Sequence, residues 1–198
     1  MTFWDDNATP AGVFNVGDLY DEYTKRQAEF IVEQLDLSPN GSIVRDFGCG
    51  IGRLTFAVAE SVPNLYVVGV DSSPKMIEAA LHAKTHINHR VDFENTSDGK
   101  GLSGGYDGAW CVLTFQHLPD DTVKQHLTDL FEILKPGARL VTQWVTSGEE
   151  APMSYPRDAA TIINWHTSAG FGDLFVSLDE HVTKYADDWV WVVAEKPA

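Results

Sequence analysis

This chain of 198 residues is short of cysteine, of positive charge and of long apolar runs. Its two cysteines, Cys49 and Cys111, form no Cys-x-x-Cys pair and no zinc-ligand spacing. That excludes a disulfide scaffold and a cysteine-built metal centre, and it fits reduced thiols in a cytoplasmic setting. Lys and Arg total 14 against 29 Asp and Glu, a formal net charge of −15. The few basic residues are scattered. Without a basic block, the phosphate contacts that drive binding to nucleic acid or anionic membranes have no source. The charge reads first as solubility, and its sharper reading is a preference for small-molecule substrates that are neutral or cationic. No apolar stretch reaches the roughly 20 residues needed to span a bilayer. The first residues, 1–7, are acidic and lack the basic and apolar regions of a signal peptide. Internal repeats and low-complexity tracts are also missing.

What is present is ordinary for a globular protein: 43% hydrophobic residues and enough length for one full-sized core. One domain over 1–198 is expected, with an arm and helix over 1–37 acting as a lid on a core over 38–198. Residues 1–17 read as irregular, and the apolar spacing of Tyr20, Tyr23, Phe30, Ile31 and Leu35 predicts a helix over 18–35. Strands then alternate with helices. Strands are expected at 42–47, 65–70, 91–94, 106–113 and 138–145. Helices are expected at 54–62, 72–83 and 119–134. The second of these starts on a serine cap with Pro74 just inside. Lys135-Pro136-Gly137 reads as the stop after the third. A further helix, 158–169, leads to strands at 174–181 and 188–195, close enough to form a hairpin. The pattern implies a three-layer α/β/α domain, mainly parallel, with one antiparallel edge.

The most informative run is Asp46-Phe47-Gly48-Cys49-Gly50-Ile51-Gly52-Arg53, a glycine turn between a strand and a helix. A dinucleotide fingerprint needs a glycine where Arg53 stands. A carboxylate at Asp46 would repel a pyrophosphate but suits a ligand carrying ammonium or sulfonium charge. The ligand this favours is S-adenosylmethionine. Three further features follow in order: Val70-Asp71 with Ser72-Ser73-Pro74-Lys75-Met76; Tyr106-Asp107-Gly108-Ala109-Trp110 leading to His117-Leu118-Pro119-Asp120; and Leu134-Lys135-Pro136-Gly137. With all four, the chain resembles the class I S-adenosylmethionine-dependent methyltransferases over about residues 40 to 145.

The resemblance implies a Rossmann-like, seven-stranded sheet of order 3-2-1-4-5-7-6 with strand 7 antiparallel. Ligands of such sheets lie at the carboxyl ends of the strands, where the order reverses. It implies that Gly48, Cys49 and Gly50 approach the methionine part of the cofactor, and that Asp46 holds its ammonium. Asp71 would accept both ribose hydroxyls, Met76 would pack against the adenine, and Ser72 and Leu113 would also line the cofactor. Ser97 and Asp98 would reach the adenine amino group. Gly52 reads as a close strand–helix packing position. His117 is the candidate general base, since histidine titrates near neutrality. Tyr20, Tyr23, Gln116, Trp144 and Tyr155 are the candidates for contacting the acceptor. His82, His86 and His89 fit a solvated helix end better than a metal set. The implied reaction is in-line transfer of a methyl group to oxygen or nitrogen of a small molecule, by a monomer or homodimer. The alternatives are a catalytically silent cofactor-binding partner or, below it, aminopropyl transfer on the same fold.

Overall fold

The computed structural model describes residues 3–13, 19–38, 40–85, 90–96, 104–147, 154–179 and 189–198. Ser97, Asp98, His86 and His89 lie outside them. The chain divides into two compact units, Met1–Gly101 and Leu102–Ala198. Its strands form a seven-stranded sheet of order β3-β2-β1-β4-β5-β7-β6, as the resemblance implied. No described helix is long and apolar enough to cross a membrane.

In the first unit, β1 (Ser42–Phe47), β2 (Leu65–Asp71) and β3 (Val91–Asn95) pair in parallel. β1 and β2 are buried along almost their whole length, as strands covered on both faces must be. Helix α3 (Tyr20–Leu35) ends on Asp36 in the left-handed region and packs on α4 (Arg53–Ser61). Helix α5 (Pro74–Lys84) begins as its sequence predicts. Pro74 sits in the first turn, and the Ser73 hydroxyl accepts the N–H of Met76 at 3.2 Å.

Residues 3–13 of the arm carry more helix than their glycine and proline content suggested. They contain two single-turn helices, α1 (Phe3–Asp6) and α2 (Pro10–Val13). Pro10 opens the second, where a missing N–H costs nothing. α1 rests on the start of α5. The Ser73 hydroxyl donates to Asp5 Oδ1 at 2.6 Å, and Lys75 pairs with Asp6 at 3.7 Å.

In the second unit, β4 (Tyr106–Cys111) runs parallel to β5 (Leu134–Val145). β7 (Trp189–Glu195) pairs antiparallel with both β5 and β6 (Gly172–Leu178), which bears out the expected hairpin edge. Three strands differ from expectation, and of these β6 runs Gly172–Leu178 rather than 174–181. β4 ends two residues early, because Leu113 takes a φ of 57° and turns the chain. β5 begins at Leu134, directly after α6 (Asp120–Ile133), so Lys135-Pro136-Gly137 lies inside the strand. A register shift opposite Tyr106 and Gly108, with Gly137 at φ 77°, takes up the bend. α7 (Ala159–Ala169) is capped at its start by Asp158, which accepts from the Thr161 N–H at 2.9 Å. It is ended by left-handed Gly170.

Candidate functional site

The glycine loop is folded against the end of β2. Gly48 N and Cys49 N both donate to Val70 O, at 2.8 and 2.9 Å. Three steps of left-handed backbone follow at alternate glycines, Gly48, Gly50 and Gly52. The Asp71 carboxylate closes the arrangement. Its Oδ2 accepts from Gly50 N at 3.0 Å and its Oδ1 from Ser73 N at 2.8 Å. Its main-chain oxygen accepts from Thr96 N and from Asn95 Nδ2, each at 3.0 Å. One residue therefore ties together the ends of β1, β2 and β3.

Burial pushes the Asp71 carboxyl above the ordinary aspartate range. The N–H groups of Ser73, Gly50 and Ser72 pull it back, and Asp5 adds to the rise. An ionised carboxylate offers about four acceptor positions. These three N–H groups leave capacity for a hydroxyl, which is the chemistry a ribose demands.

Phe93 backs the loop. A Cβ on Gly52 would stand 2.7 Å from the Phe56 ring and 2.9 Å from that of Phe93. One on Gly69 would stand 2.8 Å from Phe93 and 3.0 Å from Cys49 Sγ. The close-packing role read for Gly52 is thus what the structure shows, with Gly69 as a second such position. Cys49 is buried, and burial raises its thiol well above the usual value, with Asp46 and Asp71 adding to the effect. Its burial makes it part of the packed wall of the loop. Met76 is buried in the first turn of α5.

Asp46 is 3% exposed, and its Oδ2 accepts the Thr55 hydroxyl at 2.6 Å. Thr55 went unnoticed in the sequence, where it looks like a filler on the apolar face of α4. Arg53 reaches across to α3, with Nη1 donating to Thr24 Oγ1 at 3.1 Å and to Gln27 Oε1 at 2.8 Å. Its guanidinium lies 6.0 Å from the Tyr20 ring centroid. Burial raises the Tyr20 hydroxyl, against a lowering by Arg53. Tyr23, like Tyr20, is half-buried.

In the second unit the chain leaves β4 through Leu113 into a 3-10 turn, Phe115–His117. Arg157 clasps this turn. Its Nη1 donates to Phe115 O at 2.8 Å, its Nη2 donates to Leu118 O, and its Nε reaches Asp120 Oδ1 at 3.2 Å. The N–H of Tyr155 donates to Gln116 O at 2.7 Å, and the Arg157 guanidinium lies 5.4 Å from the Tyr155 ring. Leu113, Gln116, His117 and Tyr155 are therefore brought to one segment. Gln116 is 4% exposed and its side-chain oxygen has no hydrogen-bond partner among the described residues.

Trp144 is placed differently from the sequence expectation. It is fully buried, its indole N–H donates to Thr142 Oγ1 at 2.8 Å, and its ring centroid lies 5.0 Å from that of Phe115. It is a core residue facing α7, because the alternation of β5 puts Thr142 and Trp144 on the face that carries Trp165 and His166. Arg157, which stands just before the helix expected at 158–169, is a functional candidate that no sequence motif marks.

A family profile described as a methyltransferase domain matches residues 45–140. The chain is 35% identical over 127 residues to trans-aconitate 2-methyltransferase of Deinococcus radiodurans, covering 64% of this chain and 46% of that one. It is 32% identical over 112 residues to phosphoethanolamine N-methyltransferase 1 of Arabidopsis thaliana, covering 56% and 22%. The chain thus spans less than half the length of these two relatives. Among solved structures it resembles Haemonchus contortus phosphoethanolamine N-methyltransferase 2 in complex with S-adenosyl-L-methionine. The TM-score is 0.76 at 17% identity, over all of this chain and 61% of that one. The strand order, the Asp71-braced glycine loop and these likenesses agree, and residues 45–140 of the chain form a methyltransferase domain of the class I S-adenosylmethionine-dependent type.

Proposed function

We propose that this chain binds S-adenosylmethionine and transfers its methyl group to an oxygen or nitrogen of a small-molecule acceptor. The observation that carries this reading is the Asp71 carboxylate, held by Gly50 N and Ser73 N at the end of β2. The cofactor supplies a methyl group made electrophilic by its sulfonium. The residues of the chain bind, orient and exclude water. Correct alignment can contribute on the order of 7–11 kcal/mol to such a displacement.

Roles follow for individual residues. Gly48 and Gly50 admit the methionine part of the cofactor, with Asp46 near its ammonium. Asp71 and Ser72 take the ribose hydroxyls, while Met76 and Leu113 pack on the cofactor. Ser97 and Asp98 are proposed for the adenine edge. His117 takes the proton of an acceptor that carries one at working pH. Tyr20, Tyr23, Gln116 and Tyr155 are proposed to contact the acceptor. Trp144 drops out, being core. The arm acts as a lid, consistent with the seat of α1 on α5 through Asp5 and Ser73.

A small acceptor is favoured by the net charge of −15 and by relatives named for trans-aconitate and phosphoethanolamine. Titration calorimetry with S-adenosylmethionine tests the binding half. A chain that does not bind it, with Asp71→Ala behaving as the wild type, sinks the reading. Release of S-adenosylhomocysteine across a panel of oxygen and nitrogen acceptors tests the transfer.

A further inference from the structure

Along β5, Thr142 and Trp144 face α7, so Gln143 points to the opposite face of the sheet. The ladder sets it in one row with Trp191 of β7 and Ser177 of β6, since Gln143 pairs with Trp191 and Trp191 with Ser177. Pairing runs on past β6, where Asp179 N donates to Trp189 O at 2.8 Å, so Asp179 shares the face of Ser177. Gln143 and Asp179 are both buried. The Gln143 amide reaches across β7, and its Nε2 donates to Asp179 Oδ2 at 2.6 Å. That bond fixes the amide, because the flipped form would set its oxygen against a carboxylate oxygen. Gln143 Oε1 is then a buried acceptor with no hydrogen-bond partner among the described residues, and the Ser177 hydroxyl is in the same state. Two such atoms in one row cost more than average hydrogen bonds return, so they call for an occupant. The occupant must donate to Gln143 Oε1. An ammonium group carries three donors and no acceptor. The Asp179 carboxylate supplies the opposite charge, and the indole of Trp191, in the middle of the row, favours a cation over an anion. The net charge of −15 acts in the same direction.

We propose that Gln143, Ser177 and Asp179 form a seat for a protonated amine of the small-molecule acceptor. The seat deepens the methyl-transfer reading above and rests on it. Gln143 stands two residues before the end of β5, and ligands of such sheets gather at the carboxyl ends of the strands. The amine donates to Gln143 Oε1 and Ser177 Oγ, while Asp179 aims the amide and supplies the negative charge. This ammonium is the anchor and not the methylated atom, because a proton holds its lone pair. The acceptor is therefore bifunctional, with an amine at one place and the reacting oxygen or nitrogen at another.

The test is proton–nitrogen NMR on the full chain, read at the Gln143 side-chain amide and the Trp191 indole N–H. The probes are butylamine, butanol, butyrate and butyltrimethylammonium, each titrated with and without saturating S-adenosylhomocysteine. Butylamine should shift both signals, and should do so with S-adenosylhomocysteine bound. Butanol lacks the charge and butyltrimethylammonium lacks the N–H, so each should bind about tenfold or more weakly than butylamine. Butyrate should leave both signals in place. Ser177→Ala deletes a hydroxyl without a partner, so melting should not fall, while butylamine weakens about 3- to 10-fold. Asp179→Asn keeps an oxygen for Gln143 Nε2 and removes the charge, and should weaken butylamine about tenfold or more with butanol unchanged. Signals that butylamine does not move, or a butylamine affinity unchanged in both variants, overturn the seat, and a buried water then fills the row. Displacement of butylamine by S-adenosylhomocysteine overturns its assignment to the acceptor. A wild-type chain that takes butylamine but not S-adenosylhomocysteine overturns the methyl-transfer reading instead, and the seat stands as an amine site.

Discussion

Asp71 Oδ2 accepts the main-chain N–H of Gly50 at 3.0 Å, so the second strand holds the shape of the loop that follows the first. The same carboxylate holds Ser73 N at 2.8 Å and so also sets the start of α5. A group with both tasks couples cofactor affinity to stability. Asp71→Asn keeps one acceptor oxygen and turns an NH2 toward one of the N–H groups. Loss of a charge-assisted bond of this kind is on the order of 1.5–3 kcal/mol. The expected result is a lower melting temperature together with a tenfold or greater loss of S-adenosylhomocysteine affinity. A variant that binds as the wild type does would remove Asp71 from the site.

The same carboxylate predicts a pH dependence of binding. Burial raises its folded pKa above the ordinary value of 3.8. The native chain therefore takes up this proton at a higher pH than the unfolded chain does. As pH falls toward that raised value, the carboxylate loses acceptor capacity and cofactor affinity should drop. An exposed aspartate would begin to weaken binding only at lower pH. Calorimetry from pH 7.5 downward, stopped before unfolding, checks this, and an affinity that is flat down to the ordinary aspartate range contradicts it.

Gly69 predicts a coupled pair. Adding a methyl there places it 2.8 Å from the Phe93 ring and 3.0 Å from Cys49 Sγ. Overpacking of this kind costs roughly 1–3 kcal/mol. Gly69→Ala should therefore lower stability in urea unfolding, and much less so when Phe93 is already Leu. Equal losses in the two backgrounds would mean that Phe93 is not the obstacle.

The contrast between what was legible in the sequence and what was not follows the range of the interactions. Ser73 and Pro74 announce α5 because a cap and a first-turn proline act within four residues. Asp71 was legible because it ends an apolar strand and stands in a motif of fixed spacing. Gln27 and Arg53 meet across 26 positions, and Arg157 meets Phe115 across 42, so neither pair leaves a local mark. The arginine that excluded a dinucleotide loop was read for what it prevents, while its partners on α3 could be seen only in three dimensions. Trp144 was misplaced for a related reason. Alternation along β5 assigns its residues to two faces, but which face α7 covers is a property of the packed chain.

Arg157 predicts a split between binding and turnover. It holds Phe115 O and Leu118 O on either side of Gln116 and His117, and it anchors to Asp120 at 3.0 Å. Arg157→Met strands the buried Phe115 carbonyl and the part-buried Leu118 carbonyl and should cost about 2–4 kcal/mol of stability. On a chain that is still folded, kcat for any acceptor found should fall at least tenfold, with S-adenosylhomocysteine affinity within about threefold of wild type. Arg157→Lys places its charge as a point rather than a fork and should recover only part of the loss. Equal falls in cofactor affinity and kcat would show that the clasp has no selective role at the acceptor turn.

His166 sets an acid limit on the second unit. It is fully buried, with Nδ1 donating to Ile162 O at 2.9 Å and Nε2 facing the Thr142 hydroxyl at 3.2 Å. Burial lowers its pKa to about 4, so the ring is neutral in the folded chain, with Nδ1 carrying the proton. In the unfolded chain it titrates near 6.5. The folded pKa is depressed, so the associated stability is fully present above about pH 6.5 and is lost progressively as pH falls toward 4. The two values imply a loss of roughly 3 kcal/mol across that window. Urea unfolding at pH 7 and at pH 4.5 should show it. His166→Gln, which cannot titrate, should be less stable than the wild type at pH 7 yet lose less between the two pH values. If wild type and variant fall in parallel, the acid sensitivity lies with the carboxylates, and His166 is protonated without disturbing the Thr142–Trp144 network beside it.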